Sequence, residues 1–254
     1  MRVWTVAWNT FRESIRNRVM LNILLFAIAL ILLSLVVGDW SMGHQVKVIK
    51  DFGLSAMSLF GLLIALFIGI RLMVQELEQR TIYIIASKPI QRWEIVLGKF
   101  FGLAVTIAIN LFLMALTLWI VDWVVEKRID LGLAPAIVLM YVEILLVVGF
   151  ALFFSSFTSP TLSAVATIVV FVIGHMSGFL RDYVQIYPDK GFHWLLKAIY
   201  YVVPNLENLN LKSTVVEHLE LPPHTFGFGL LYGLGYIFVV LFLTVSIFER
   251  RDLK

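Results

Sequence analysis

The chain has 254 residues and a mass of 29.0 kDa; 60% of it is hydrophobic, only 15% is charged, and its mean hydropathy is +0.92. Soluble domains are about 45–50% apolar and about 25% charged, and a small globule has too little interior to hide this much apolar surface, so a soluble domain and a disordered chain are both excluded. There is no cysteine, which removes disulfides, thiolate metal sites and cysteine nucleophiles, and the net charge of +3 invites a topological explanation before a nucleic-acid one.

In chain order, residues 1–18 read as a helix lying in the membrane interface. Trp4, Trp8, Phe11 and Ile15 recur at helical spacing, while Arg12, Arg16 and Arg18 fall largely off that stripe and turn toward lipid phosphates; a helix packed on another subunit is the plainer alternative. Six apolar stretches of about 20 residues follow, at roughly 19–37, 52–70, 100–121, 134–154, 161–180 and 225–248, each long enough to cross the hydrocarbon as a helix. The first is longer than a signal-peptide core and has no small-residue cleavage site after it, so it reads as a retained helix. None alternates as a barrel strand does.

The connections carry the remaining pattern. A short polar loop spans 38–51. Segment 71–99 has charges at both ends, an apolar centre and Pro89; the proline biases Lys88 toward extended geometry. The expectation is that span two continues as a helix, followed by a short helix at Thr81–Ser87, a break at Lys88-Pro89 and a restart near Gln91–Glu94. A tight turn covers Ser155–Pro160. Segment 181–224 is long, with a short apolar helix expected at 194–203 and another at 214–219. No internal repeat or low-complexity linker divides the chain, so 1–254 reads as one membrane domain.

Charge placement orients it. Of all the charged residues only Glu143 falls inside the six stretches, as expected where a mid-bilayer charge costs at least ~2.5–3.5 kcal/mol. With the N-terminus inside, the inner segments hold most of the Lys and Arg and the outer ones an excess of acids, so the positive-inside rule puts both termini in the cytoplasm. The bacterial inner (plasma) membrane is the expected location.

Several chemistries can be weighed on the residues. His175-Met176-Ser177-Gly178 approaches the Gly-x-Ser-Gly of intramembrane serine proteases but has histidine at the first position, and a small-residue packing site is the simpler reading. The sequence has no HExxH and no pair of histidines at helical spacing, so no metal site is expected. It has no GxxxxGK[ST], so the chain cannot hydrolyse ATP by the P-loop route. Glu143 is the polar outlier; a carboxyl in a membrane helix faces the bundle and is protonated or paired. Its role is structural pairing or proton and substrate contact, with Asn110 as a candidate partner and His175 the other polar group near the outer surface. Gly61, Ala65 and Gly69, and Gly229 with Gly233, mark close helix contacts that are either within the chain or between chains.

Segment 71–99 also resembles the ABC-2 type permeases of ABC transporters, particularly the NosY-like branch associated with multicopper enzyme maturation. The shared pattern is an acidic Glu-x-Glu, a Thr, an apolar helix, Pro, Arg and a closing Gly-Lys; here these are Glu76, Glu78, Thr81, Pro89, Arg92, Gly98 and Lys99. Arg80 stands where the common pattern has Gly. The six-span layout, the N-terminal helix, the long outer loop and the Phe-x-Arg-Arg-Asp ending extend the resemblance over nearly the whole chain. It implies an all-α membrane permease with a cytoplasmic coupling helix, whose ATPase-coupling residues are Glu76, Glu78, Arg80, Thr81, Tyr83, Ser87, Lys88, Pro89 and Arg92. It also implies two copies of a separate ATPase subunit that binds ATP and Mg, no cofactor in this chain, and pairing with itself or a related permease. Membrane lipids and an extracytoplasmic protein are further expected partners, and nucleic acid is not. Export of an unidentified substrate is the first reading, mechanotransmission to an extracytoplasmic partner the second, and an intramembrane enzyme the weakest.

Overall fold

The computed structural model describes residues 2–41, 43–78, 91–128, 130–186, 193–217, 219 and 223–250. Among these there is no strand. The elements are α1 (Arg2–Ile15), α2 (Arg18–Asp39), α3 (Gln45–Glu78), α4 (Arg92–Glu126), α5 (Leu133–Ser155), α6 (Pro160–His175), α7 (Ser177–Ile186), α8 (His193–Val202), a 3-10 turn (Leu206–Leu209), α9 (Lys212–Val216) and α10 (Pro223–Arg250). Five of the helices are long and apolar enough to cross a membrane, and α6 with α7 forms a sixth, bent candidate. The up-and-down order places both ends of the chain on one face, called here the terminus face; the opposite one is the far face.

Local signals explain the boundaries. Asn17 caps α2 by accepting the Val19 N–H at 2.9 Å. At the start of α4 the Glu94 carboxylate accepts the Gln91 N–H at 3.0 Å. Pro160 opens α6, where its missing N–H costs nothing. Lys127 closes α4 in the left-handed conformation, φ 58°, with its N–H donating to the Trp123 carbonyl.

Helix α5 forms the axis. It is buried along almost its whole length, between α3, α4, α6 and α10. By contrast α2 and α10 turn broad apolar faces outward, with Phe26, Leu231 and Phe238 exposed as lipid-facing side chains are. The small-residue stripes prove to be contacts within the chain. A Cβ on Gly61 would lie 2.3 Å from Ile144 of α5, and one on Gly233 would lie 2.4 Å from Val142 of α5.

Helix α1 lies against the first half of α4. Its small side, Ala7, Thr10 and Ser14, is buried, and Trp4 and Trp8 face out. The approach is so close that a Cβ on Gly102 would stand 2.5 Å from the Ala7 carbonyl oxygen. The helix therefore packs on its own chain, and it ends at Ile15 rather than running to residue 18.

Three further sequence-based expectations need correction. The fifth stretch is not one straight span: α6 stops at His175 and α7 leaves at 62°. The bend is pinned from the far face. Gly174 admits the chain before the 3-10 turn, since a Cβ there would meet Leu206 at 2.6 Å and the Pro204 carbonyl at 2.9 Å. The Ser177 hydroxyl donates to Asn205 Oδ1, and the Asn205 N–H donates to the Tyr232 hydroxyl at 2.7 Å. Next, the loop expected at 38–51 is shorter, because α3 starts at Gln45 and carries Lys50 and Asp51 in its first turns. Finally, the second short far-face helix runs over Lys212–Val216 instead of 214–219, and the 3-10 turn before it was not anticipated.

Candidate coupling site and polar nodes of the bundle

Of the residues expected to couple to an ATPase, Arg80, Thr81, Tyr83, Ser87, Lys88 and Pro89 lie outside the described residues. The elements on either side are described. Helix α3 runs 34 residues to Glu78, with Glu76 and Glu78 in its last turn, and α4 starts at Arg92 and runs 35 residues. At 1.5 Å per residue each is about 50 Å long, against a hydrocarbon core of about 30 Å. Arg92 has a role in the fold that the sequence did not reveal: its guanidinium donates to the carbonyls of Phe248 (3.2 Å) and Glu249 (3.1 Å), holding the C-terminal end of α10 where a cation is favoured. Lys99, about two turns beyond Arg92 along the same helix, is buried in α4.

The far ends of the same two helices are joined by charge. Lys50 of α3 is almost wholly buried, and its ammonium lies 3.5 Å from Asp122 and 3.4 Å from Glu126, both of α4, and 2.9 Å from Asp130 in the following loop. Asp122 is equally buried; its Oδ2 accepts the Asp130 N–H, while Oδ1 has no hydrogen-bond partner among the described residues and faces the ammonium. Sequence reasoning missed this node because it placed Lys50 and Asp122 in loops. The available signal was, for Asp122, the ten positions that separate it from the next glycine, Gly132, since Gly and Pro punctuate real turns.

Glu143 sits near the midpoint of α5, 1% exposed. Its neighbour is His175, not Asn110: His175 Nε2 is 3.3 Å from Glu143 Oε1, out of hydrogen-bond alignment, and neither carboxylate oxygen has a hydrogen-bond partner among the described residues. Asn110 instead donates to the Thr106 carbonyl at 2.7 Å and touches the Met20 sulfur. His175 Nδ1 lies 3.1 Å from the Phe171 carbonyl oxygen. A carbonyl can only accept, so Nδ1 carries the hydrogen and Nε2 faces Glu143 either with its lone pair or as imidazolium. The pair thus needs one proton between its two facing atoms. Just above it, α9 brings Lys212 into the field of Glu143, Asp51 and Glu207. Burial pushes the Lys212 ammonium below its ordinary pKa, and the three carboxylates work against that shift.

The arrangement is that of a helical membrane bundle with two long levers, their far ends clamped by charge and a short connection between their near ends. A family model described as "ABC-2 family transporter protein" matches residues 4–253, all but the extreme ends of the chain. The chain belongs to the ABC-2 transporter family. It is an integral membrane permease subunit of an ABC transporter, a transport component that is not itself an ATPase and that works with an ABC ATPase subunit. A search of curated proteins finds no match.

Proposed function

We propose that this permease couples ATP hydrolysis by a separate ATPase subunit to export of a substrate, and that the coupling runs through the 79–90 connection between α3 and α4. The observation that carries the reading is the pair of unbroken helices flanking that connection, tied at their far ends by Lys50 to Asp122 and Glu126. A displacement at the near ends moves two rigid levers together and reaches the far face without being absorbed by a hinge. Two ATPase copies, a permease dimer and cytoplasmic termini in a bacterial inner membrane complete the proposal. The charged ends of the connection give it a means of docking.

The test is co-purification of a co-expressed ATPase subunit with the permease carrying E78R and K88E. Arg92 stays intact, because it holds α10. A folded permease that loses the ATPase supports the dock; undiminished capture counts against it. A second reading, mechanotransmission to a partner beyond the membrane, is favoured by the layer of short elements on the far face, where the 3-10 turn and α9 pack on α5. Nucleotide-driven flux in liposomes separates the two.

A further inference from the structure

The corner where α1 ends and α2 begins has no part in the coupling argument. It holds a cavity of about 400 Å³ lined among others by Arg16, Arg18, Arg71, Glu13, Asn17 and Ile68. Three arginines from three places in the chain, the α1–α2 joint, the first residue of α2 and the end of the apolar span of α3, thus line one space with a single acidic residue among them. The size lies within the range of small-molecule pockets, and planar guanidinium groups are the side chains best shaped to fork onto phosphate oxygens.

A second cleft of about 380 Å³ adjoins it, lined by Trp8, Phe11, Arg12, Ile15 and Arg16. Arg16 borders both spaces. One is basic; the other sets Trp8, Phe11 and Ile15 beside Arg12, whose guanidinium lies over the Trp8 ring, so together they match a molecule that is anionic at one end and apolar at the other. Depth agrees with this. Arg18 opens the apolar span of α2 and Arg71 closes that of α3, so both stand where the hydrocarbon ends. Beside the cavity, Val19, Leu21 and Leu25 of α2 are exposed apolar residues, as lipid contact requires.

We propose that this corner is a binding site for an anionic phospholipid, its headgroup phosphate held by Arg16, Arg18 and Arg71 and its glycerol and upper acyl chain lying along Trp8, Phe11 and Ile15. The site fixes the joint between α1 and α2 at headgroup level. The shared chemistry with a free phosphate ion is the guanidinium fork; the apolar cleft is what favours the lipid. An acidic protein surface would satisfy the arginines but not the exposed apolar residues next to them.

The test uses the full chain in vesicles of phosphatidylcholine containing either brominated phosphatidylglycerol or brominated phosphatidylcholine, with the bromine-quenchable part of Trp8 fluorescence taken as the difference from a W8F variant. Wild type is expected to reach half-quenching at a roughly fivefold or lower mole fraction of the anionic lipid, the preference that about one clustered cation or more carries at a membrane surface. R16Q/R18Q/R71Q abolishes the preference, and R71K keeps it. R71Q alone, at an exposed position of α3, lowers it and covers the case in which the triple variant does not fold. Equal quenching by the two lipids in wild type, or a preference that survives the triple variant, overturns the proposal. Displacement of the brominated lipid by millimolar inorganic phosphate assigns the cavity to a free anion and overturns it too. Loss of the ATPase subunit with lipid preference intact makes the corner a protein dock, with the same consequence.

Discussion

Replacing Lys50 with methionine removes the cation from a cluster whose deepest carboxylate, Asp122, has Lys50 as its one cationic contact among the described residues. At 3.5 Å and an effective dielectric near 20, the Lys50–Asp122 attraction is about 5 kcal/mol before the cost of desolvation. Removing one partner of a buried pair costs about 3–5 kcal/mol, because the other charge is left without compensation. Glu126 and Asp130 are partly exposed, so water takes over most of their share and Asp122 accounts for the main loss. K50M should therefore destabilise the bundle by about 3–4 kcal/mol, and D122N in the same chain should return most of it, leaving a deficit of about 1 kcal/mol. The assay is a double-mutant cycle on unfolding in mixed micelles, followed by circular dichroism. A K50M variant within about 1 kcal/mol of wild type, or one that D122N does not rescue, would show that the node is hydrated and does not clamp the two levers.

Other perturbations probe other parts of the bundle. G102L forces a side chain into the Ala7 carbonyl and should cost at least about 1–3 kcal/mol and free α1 from α4; G235A, which meets nothing within 4 Å, should be neutral or stabilising by up to about 1 kcal/mol, and the two are compared by the same unfolding assay. E143Q keeps a hydrogen to offer His175 Nε2 and should stay within about 1 kcal/mol of wild type, whereas H175L strands the buried carboxyl and should lose about 1–3 kcal/mol; the reverse order of stabilities would refute a proton between the two atoms. Lys212 has a lowered pKa when folded, so the unfolded chain holds its proton more tightly, and stability from this group rises as pH climbs from the lowered value toward the ordinary 10.5. Subtracting the K212M melting curve from that of wild type across alkaline pH should expose this rise; a flat difference would mean that the ammonium is solvated.

The sequence by itself determined the medium and the class of architecture. An apolar content of 60%, with every charged residue except Glu143 outside the apolar stretches, leaves bundled helices as the solution, since lipid offers no partner for backbone N–H and C=O groups. The family resemblance was legible because it lies in local punctuation around Pro89 and Gly98-Lys99. The restart near Gln91–Glu94 could be read for the same reason: a cap uses only neighbours in the chain. What only the tertiary structure decided are relations between distant segments. Glu143 was conspicuous in the sequence, but that its neighbour is His175 depends on how α5 and α6 are rotated against each other. Lys50 and Asp122 looked like loop charges because hydropathy counts a buried ion pair as polar whether or not it is neutralised. Arg92 belonged to the expected docking motif, yet its guanidinium reaches back to the end of α10, some 150 residues later. The bend at Met176 follows the same rule: Gly174 permits it, but the chain around Pro204 and Leu206 imposes it. Composition reports the solvent a chain requires and local pattern reports where helices begin and end; which buried charges meet is a property of packing, to which residues far apart in sequence contribute equally.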